Sequence, residues 1–171
     1  MFKGFGMACI VLASSCVGFG FARSVRRQAA QLAQLITALE FMKSEIQYRM
    51  TPLPELFGQL ARSPEPAVGG MFARCAGILR ANRTSPPAAA FKRAMEEEKR
   101  LVLSPESRQT LTALGMALGR FDVEGQCRSI ELAQRRLQAE SDALEEKKRA
   151  RCRSYETIGV CAGLAIAVIL V

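Results

Sequence analysis

Glu96, Glu97 and Glu98 form the longest run of carboxylates in this chain. Converging carboxylates are what general acid–base chemistry or a hard cation would ask for. Their spacing works against both. The residues around them carry helical periodicity, and neighbours on a helix point about 100° apart. Three consecutive glutamates therefore fan out, and the expectation is a solvated face. The other candidates fall as well. The chain contains no histidine, which removes Ser-His-Asp and Cys-His activation, the commonest proton shuttle and the commonest metal ligand. Of six cysteines, none are at C-x-x-C spacing. Cys9, Cys16 and Cys161 lie in apolar ends, and Cys75, Cys127 and Cys152 are scattered between them. That is neither a metal nor a disulfide framework, and it suits a reducing compartment. No glycine-rich loop follows a strand, so no nucleotide site is legible. The expectation is a protein that is not an enzyme and takes no cofactor, metal or small-molecule substrate.

Charge says more than chemistry does. There are 24 basic and 16 acidic residues among 171. All of them except Lys3 fall between Arg23 and Glu156. Eight of the bases (Arg23, Arg26, Arg27, Lys147, Lys148, Arg149, Arg151 and Arg153) sit at the two edges of that charged stretch, and the remainder is near neutral. With two tyrosines and no tryptophan, stacking platforms are lacking, so nucleic acid is not an expected partner.

The ends are apolar. Residues 4–22 make 19 residues, a helix of about 28 Å, close to the thickness of a bilayer core. The C-terminal segment, residues 157–171, has an uncharged run from Ile158 of only about 21 Å as helix. Its place behind a long charged helix favours membrane insertion. Both edges of the middle are basic, so the positive-inside rule puts residues 23–156 in the cytoplasm and both termini across the membrane. Export with cleavage near Cys16 is the rival reading. Ala13 stands where a lipoprotein site prefers leucine, and an arginine cluster follows the apolar run. Ser14 and Gly18, with Gly159 and Gly163, form two small-x-x-x-small faces through which the two segments could pack.

The middle reads as all-α. Apolar residues at Val25, Ala29, Leu32, Ile36, Leu39, Ile46 and Met50 keep a 3–4 spacing, broken at Lys43 beside Met42. Thr51-Pro52, Ser63-Pro64, Ser85-Pro86 and Ser104-Pro105 each offer a cap followed by proline, and so predict four short helices. Asp122 predicts the start of a last long helix, with Ile130, Ala133, Leu137 and Leu144 on its apolar face. The expected architecture is a membrane-anchored helical bundle of about six helices: transmembrane helix 4–22, cytoplasmic bundle 23–156, transmembrane segment 157–171.

Two stretches are specified beyond folding, Glu45 to Ala61 and Leu111 to Ala133. Gly115 and Gly119 permit close helix approach. Asp122 caps, with Gln126 one turn on. Tyr48, Pro52, Gly119, Asp122 and Gln126 are the candidate partner-binding residues. At "EIQYRMTPL" and "LGMALGRFDVEGQ" the chain resembles the stage III sporulation protein AB family: Glu45, Ile46, Tyr48, Thr51, Pro52, Leu53, Gly115, Leu118, Gly119, Asp122 and Gln126 stand where the pattern wants them. The resemblance implies a cytoplasmic helical domain similar to the inner-membrane platform protein of type II secretion and type IV pilus systems. It implies a place in the mother-cell membrane around the forespore, in a secretion-like complex. Its partners there would be the ATPase-like stage III sporulation protein AA, other proteins of that complex and membrane lipid. A membrane-tethered signalling or sensor stalk, dimeric through its long helices, is the alternative.

Overall fold

The computed structural model describes residues 24–82, 84–118 and 120–170, with side chains as far as Lys147. Residues 24–44 are helical and run on into a π-helical turn, Glu45–Arg49; together they form α1. Four short helices follow, α2 (Leu53–Leu60), α3 (Pro66–Ala81), α4 (Pro87–Glu97) and α5 (Pro105–Ala117). The last helix, α6, spans Val123–Leu170. Among the described residues the fold is all-helical, two long helices holding four short ones, as expected.

Proline sets the helix starts, though not always the expected proline. Ser104 caps α5 as predicted: its hydroxyl accepts from the Ser107 amide at 3.0 Å, and Pro105 is the first helical residue. Elsewhere the start moves. α3 begins at Pro66 rather than Pro64, and α4 at Pro87 rather than Pro86. The residue before a proline is pushed out of the helical region. Glu65 and Pro86 accordingly hold ψ at 111° and 140°, so in "PEP" and "PP" only the second proline can open the helix. At α2 the cap is Pro52, not Thr51, because the Thr51 hydroxyl is spent on Glu45, 2.7 Å away.

The helices alternate up and down. Gln28 donates to Glu140 at 3.1 Å, Gln134 to the Ile36 carbonyl at 3.5 Å, and Lys43 to Glu131 at 2.6 Å. Positions on α1 rise as those on α6 fall, so the two long helices are antiparallel neighbours. Arg135 stands one turn along α6 from Glu131, but it is Lys43 that Glu131 bonds. Gln31, 1% exposed, ties the α2–α3 and α4–α5 connections to the end where α1 begins. Its amide nitrogen donates to the Arg100 carbonyl at 3.1 Å and Glu65 at 3.3 Å, and its oxygen accepts from the Val102 amide at 2.7 Å. The other three connections meet at the opposite end, where Arg80 donates to the Pro54 carbonyl at 3.3 Å.

The core is continuous from α1 to α6. Leu32, Leu35, Leu39 and Met42 face Leu56, Met71, Leu111, Ile130 and Leu137, all fully buried. Phe57, Phe72 and Phe91 bring one ring each from α2, α3 and α4, with centroids 5.3–6.3 Å apart. Two of the three pairs meet edge-on, an arrangement worth about 0.5–1.5 kcal/mol per pair beyond area burial. Met50 departs from the expected stripe: it is 75% exposed, because the wider π turn ends the α-helical register at Ser44, six residues earlier. Among the described residues no helix is long and apolar enough to cross a membrane. Segment 4–22 with Ser14 and Gly18 lies outside the described residues. Gly159 and Gly163 belong to the backbone of α6, beyond the described side chains.

Candidate partner interface

The two stretches singled out in the sequence meet at one corner of the bundle. α1 ends there in its π turn, which packs against α6 near the start of that helix. π turns inside α-helices recur at functional sites. Here the turn does two things at once. It turns Glu45 inward, 5% exposed, where its carboxylate accepts from the Thr51 hydroxyl at 2.7 Å and pairs with Arg49 at 3.2 Å. It turns Tyr48 outward, 77% exposed. Met50 then takes a left-handed conformation, φ 52°. A non-glycine residue there costs about 1 kcal/mol or more, and it persists only where the surroundings hold it. The Glu45–Thr51 bond across Met50 is that hold.

Across from the π turn, α6 opens on Asp122. Its carboxylate accepts from the Gly125 amide at 3.0 Å, closing an N-cap. Gln126 donates to the Phe121 carbonyl at 2.8 Å. The polar groups of Asp122 and Gln126 are thus committed to shaping the corner. Phe121, 57% exposed, stands outward instead. A hydrophobic residue ahead of an N-cap usually packs on the fourth helical residue. That position is Gln126, so the usual apolar staple partner is missing, and Phe121 lies against Gly125 instead. Pro52 is exposed at the rim, its carbonyl accepting from the amides of Glu55 and Leu56 at 2.9 and 3.0 Å. Gly119 lies outside the described residues. The structure therefore brings Tyr48 near the start of α6 and adds Met50 and Phe121, which the sequence reading missed. The missing staple partner at Gln126 is the signal that could have found Phe121.

The corner is electrostatically quiet. Lys43, flanking it, is held above the usual ammonium range by its hydrogen bond to Glu131, and Glu131 is held below the usual carboxylate range by the same bond. Of the acidic run, Glu96 and Glu97 are exposed as expected of a solvated face, and Glu98 is not. Glu98 is 4% exposed, with Arg100 at 2.8 Å and Arg74 at 3.5 Å. α4 ends at Glu97, so Glu98 leaves the helical face and folds back under two guanidiniums. The Arg100 hydrogen bond holds its carboxyl below the ordinary range. Glu97 is likewise lowered by Arg93, 2.7 Å away, with Arg74 at 3.4 Å. Both of these carboxylates are answered within the bundle, and among the described residues no group of side chains is arranged to hold a metal ion.

The family model described as stage III sporulation protein AB matches residues 3–171. The chain is 27% identical over 170 residues to the stage III sporulation protein AB of Bacillus subtilis (strain 168), covering 99% of each chain. A solved structure of a stage III sporulation protein AB superposes with a TM-score of 0.67 at 25% identity, covering 72% of this chain and 98% of that one.

Proposed function

The chain belongs to the stage III sporulation protein AB family, and from that premise we propose that it is a non-enzymatic platform subunit of a secretion-like sporulation complex. It is anchored in the mother-cell membrane around the forespore by residues 4–22 and 157–171, with residues 23–156 in the cytoplasm and both termini on the far side. One observation carries the reading. α1 and α6 run antiparallel in a fixed register, Gln28 beside Glu140 and Lys43 beside Glu131. The bundle thus receives and releases its chain at one end, the end toward which Arg26, Arg27 and Lys147 lie, as a domain hung from one membrane requires. The opposite end presents the corner of Tyr48, Met50 and Phe121. Exposed aromatic and methionine side chains on a held backbone are what a protein interface uses as anchors. Among the described residues the core-facing apolar side chains of both long helices are spent inside the bundle, which disfavours a stalk dimerising through that face.

The ATPase-like stage III sporulation protein AA is the partner proposed for the corner. Asp122→Arg would test the contact poorly, because it also breaks a cap. The better perturbation is Tyr48→Arg with Phe121→Arg, both on exposed side chains. Copurification of the full chain with the sister protein should drop at least tenfold while the variant stays in the membrane fraction. Undiminished copurification by a folded double variant sinks the corner. Recovery of the untagged full chain among soluble proteins sinks the anchoring.

A further inference from the structure

Between α5 and α6 runs an open groove that the distal corner does not use. Its larger part, about 770 Å³, is lined by Gln109, Arg136, Ala139 and Ala143 among others. A smaller part, about 100 Å³, continues past Arg136 to Ala113 and Leu132. Thr110 and Arg136 line both parts. Between Ser129 and Lys147, its outer lining residues on α6, the groove follows about 27 Å of helix, the length of five turns of a partner helix. Alanines keep its walls low, and Leu132 lies 51% exposed along it.

At the middle of this groove stands Arg136. It is exposed, and among the described residues no hydrogen bond or ion pair engages its guanidinium. Glu140, one turn on, does not serve it: that carboxylate accepts from Gln28 at 3.1 Å and from the Ser107 hydroxyl at 2.5 Å. Glu106 lines the same groove from the first turn of α5. We infer that the groove takes a helix of a different protein, with small and apolar residues on one face and a carboxylate that reaches Arg136. Arginine forks a carboxylate bidentately, and arginines are enriched among interface anchors. A second copy of this chain fits badly. Two copies rooted in one membrane and paired through this groove would set Arg136 against Arg136 and Lys147 against Lys147, like charges at the centre and the edge of the contact. That step rests on the anchoring proposed above.

The test uses the full chain in sporulating cells, with a photo-crosslinking amino acid replacing Ala139 or Leu132. Cross-linked peptides are sequenced by mass spectrometry. The expected peptides come from another protein and carry Asp or Glu within four residues of the linkage. Their yield falls at least fivefold in Arg136→Glu and holds in Arg135→Glu, the same charge change one residue away on the exposed face. Cross-links to this chain's own peptides, to lipid alone, or to nothing above background overturn the inference, as does a yield indifferent to Arg136→Glu. Recovery of the chain in the membrane fraction of the same cells reports on anchoring separately.

Discussion

Two glycine-to-alanine exchanges, chemically identical, should move stability in opposite directions. Gly77 and Gly115 both lie inside helices, α3 and α5. A glycine in a helix interior costs about 1 kcal/mol relative to alanine. At Gly77 an added Cβ meets nothing within 4 Å, so Gly77→Ala should recover that amount. At Gly115 the added Cβ would stand 2.7 Å from the Ala88 Cα, 2.9 Å from the Ala88 nitrogen and 2.9 Å from Phe91 Cδ2. Two of those three atoms are backbone, so α4 must retreat by about 1 Å to restore van der Waals distance. It would drag Phe91 from the ring cluster as it moved. Overpacking of this kind costs typically 1–3 kcal/mol, with rigid backbone toward the upper end. Subtracting the propensity gain leaves Gly115→Ala destabilising by about 1–2 kcal/mol. At about 4 °C per kcal/mol for a domain of this size, Gly77→Ala raises Tm by about 4 °C and Gly115→Ala lowers it by about 4–8 °C. Thermal unfolding of the full chain in detergent micelles, followed by circular dichroism, reads both. If Gly115→Ala stabilises as much as Gly77→Ala, the close approach of α4 and α5 is wrong.

The remaining expectations concern the bundle's polar ties. Gln31→Leu keeps the volume but leaves the Val102 amide and the Arg100 carbonyl without their partner, for a loss of about 2–4 kcal/mol; a denaturation midpoint equal to that of the parent refutes it. Glu98, Glu97 and Glu131 have folded pKa values lowered by Arg100, Arg93 and Lys43 respectively. Their contribution is therefore present above the unfolded carboxylate value, about 4.3, and is lost as pH falls below it through the folded values. Tm should hold from neutrality to about pH 5 and then fall, less steeply in Glu98→Gln; a curve unchanged by that substitution counts against the buried pair. Burial pushes the Cys75 thiol up to about 12, so Cys75 should resist maleimide in the native protein at pH 8 and label on unfolding. Labelling of Cys75 in the native protein within minutes would contradict its place in the core.

Much of the architecture is legible from residues alone. The 3–4 spacing along α1, the cap at Ser104, the cap at Asp122 and the apolar face Ile130, Ala133, Leu137 and Leu144 are local rules, and each acts within a turn or two of its own residue. The charge map is legible for the same reason: it is a property of composition and order. The absence of histidine from the sequence closes off its catalytic and ligand roles without any coordinates. What tertiary packing decided is everything that depends on a partner distant in the chain. Lys43 interrupts the stripe because Glu131 lies across from it. Glu98 reads as one of three surface acids until the end of α4 folds it beneath Arg74 and Arg100. Tyr48 and Phe121 are 73 residues apart in the sequence. They reach one corner only because α1 and α6 pair in a register that no local pattern encodes, since periodicity fixes which face of a helix is buried but not which helix covers it.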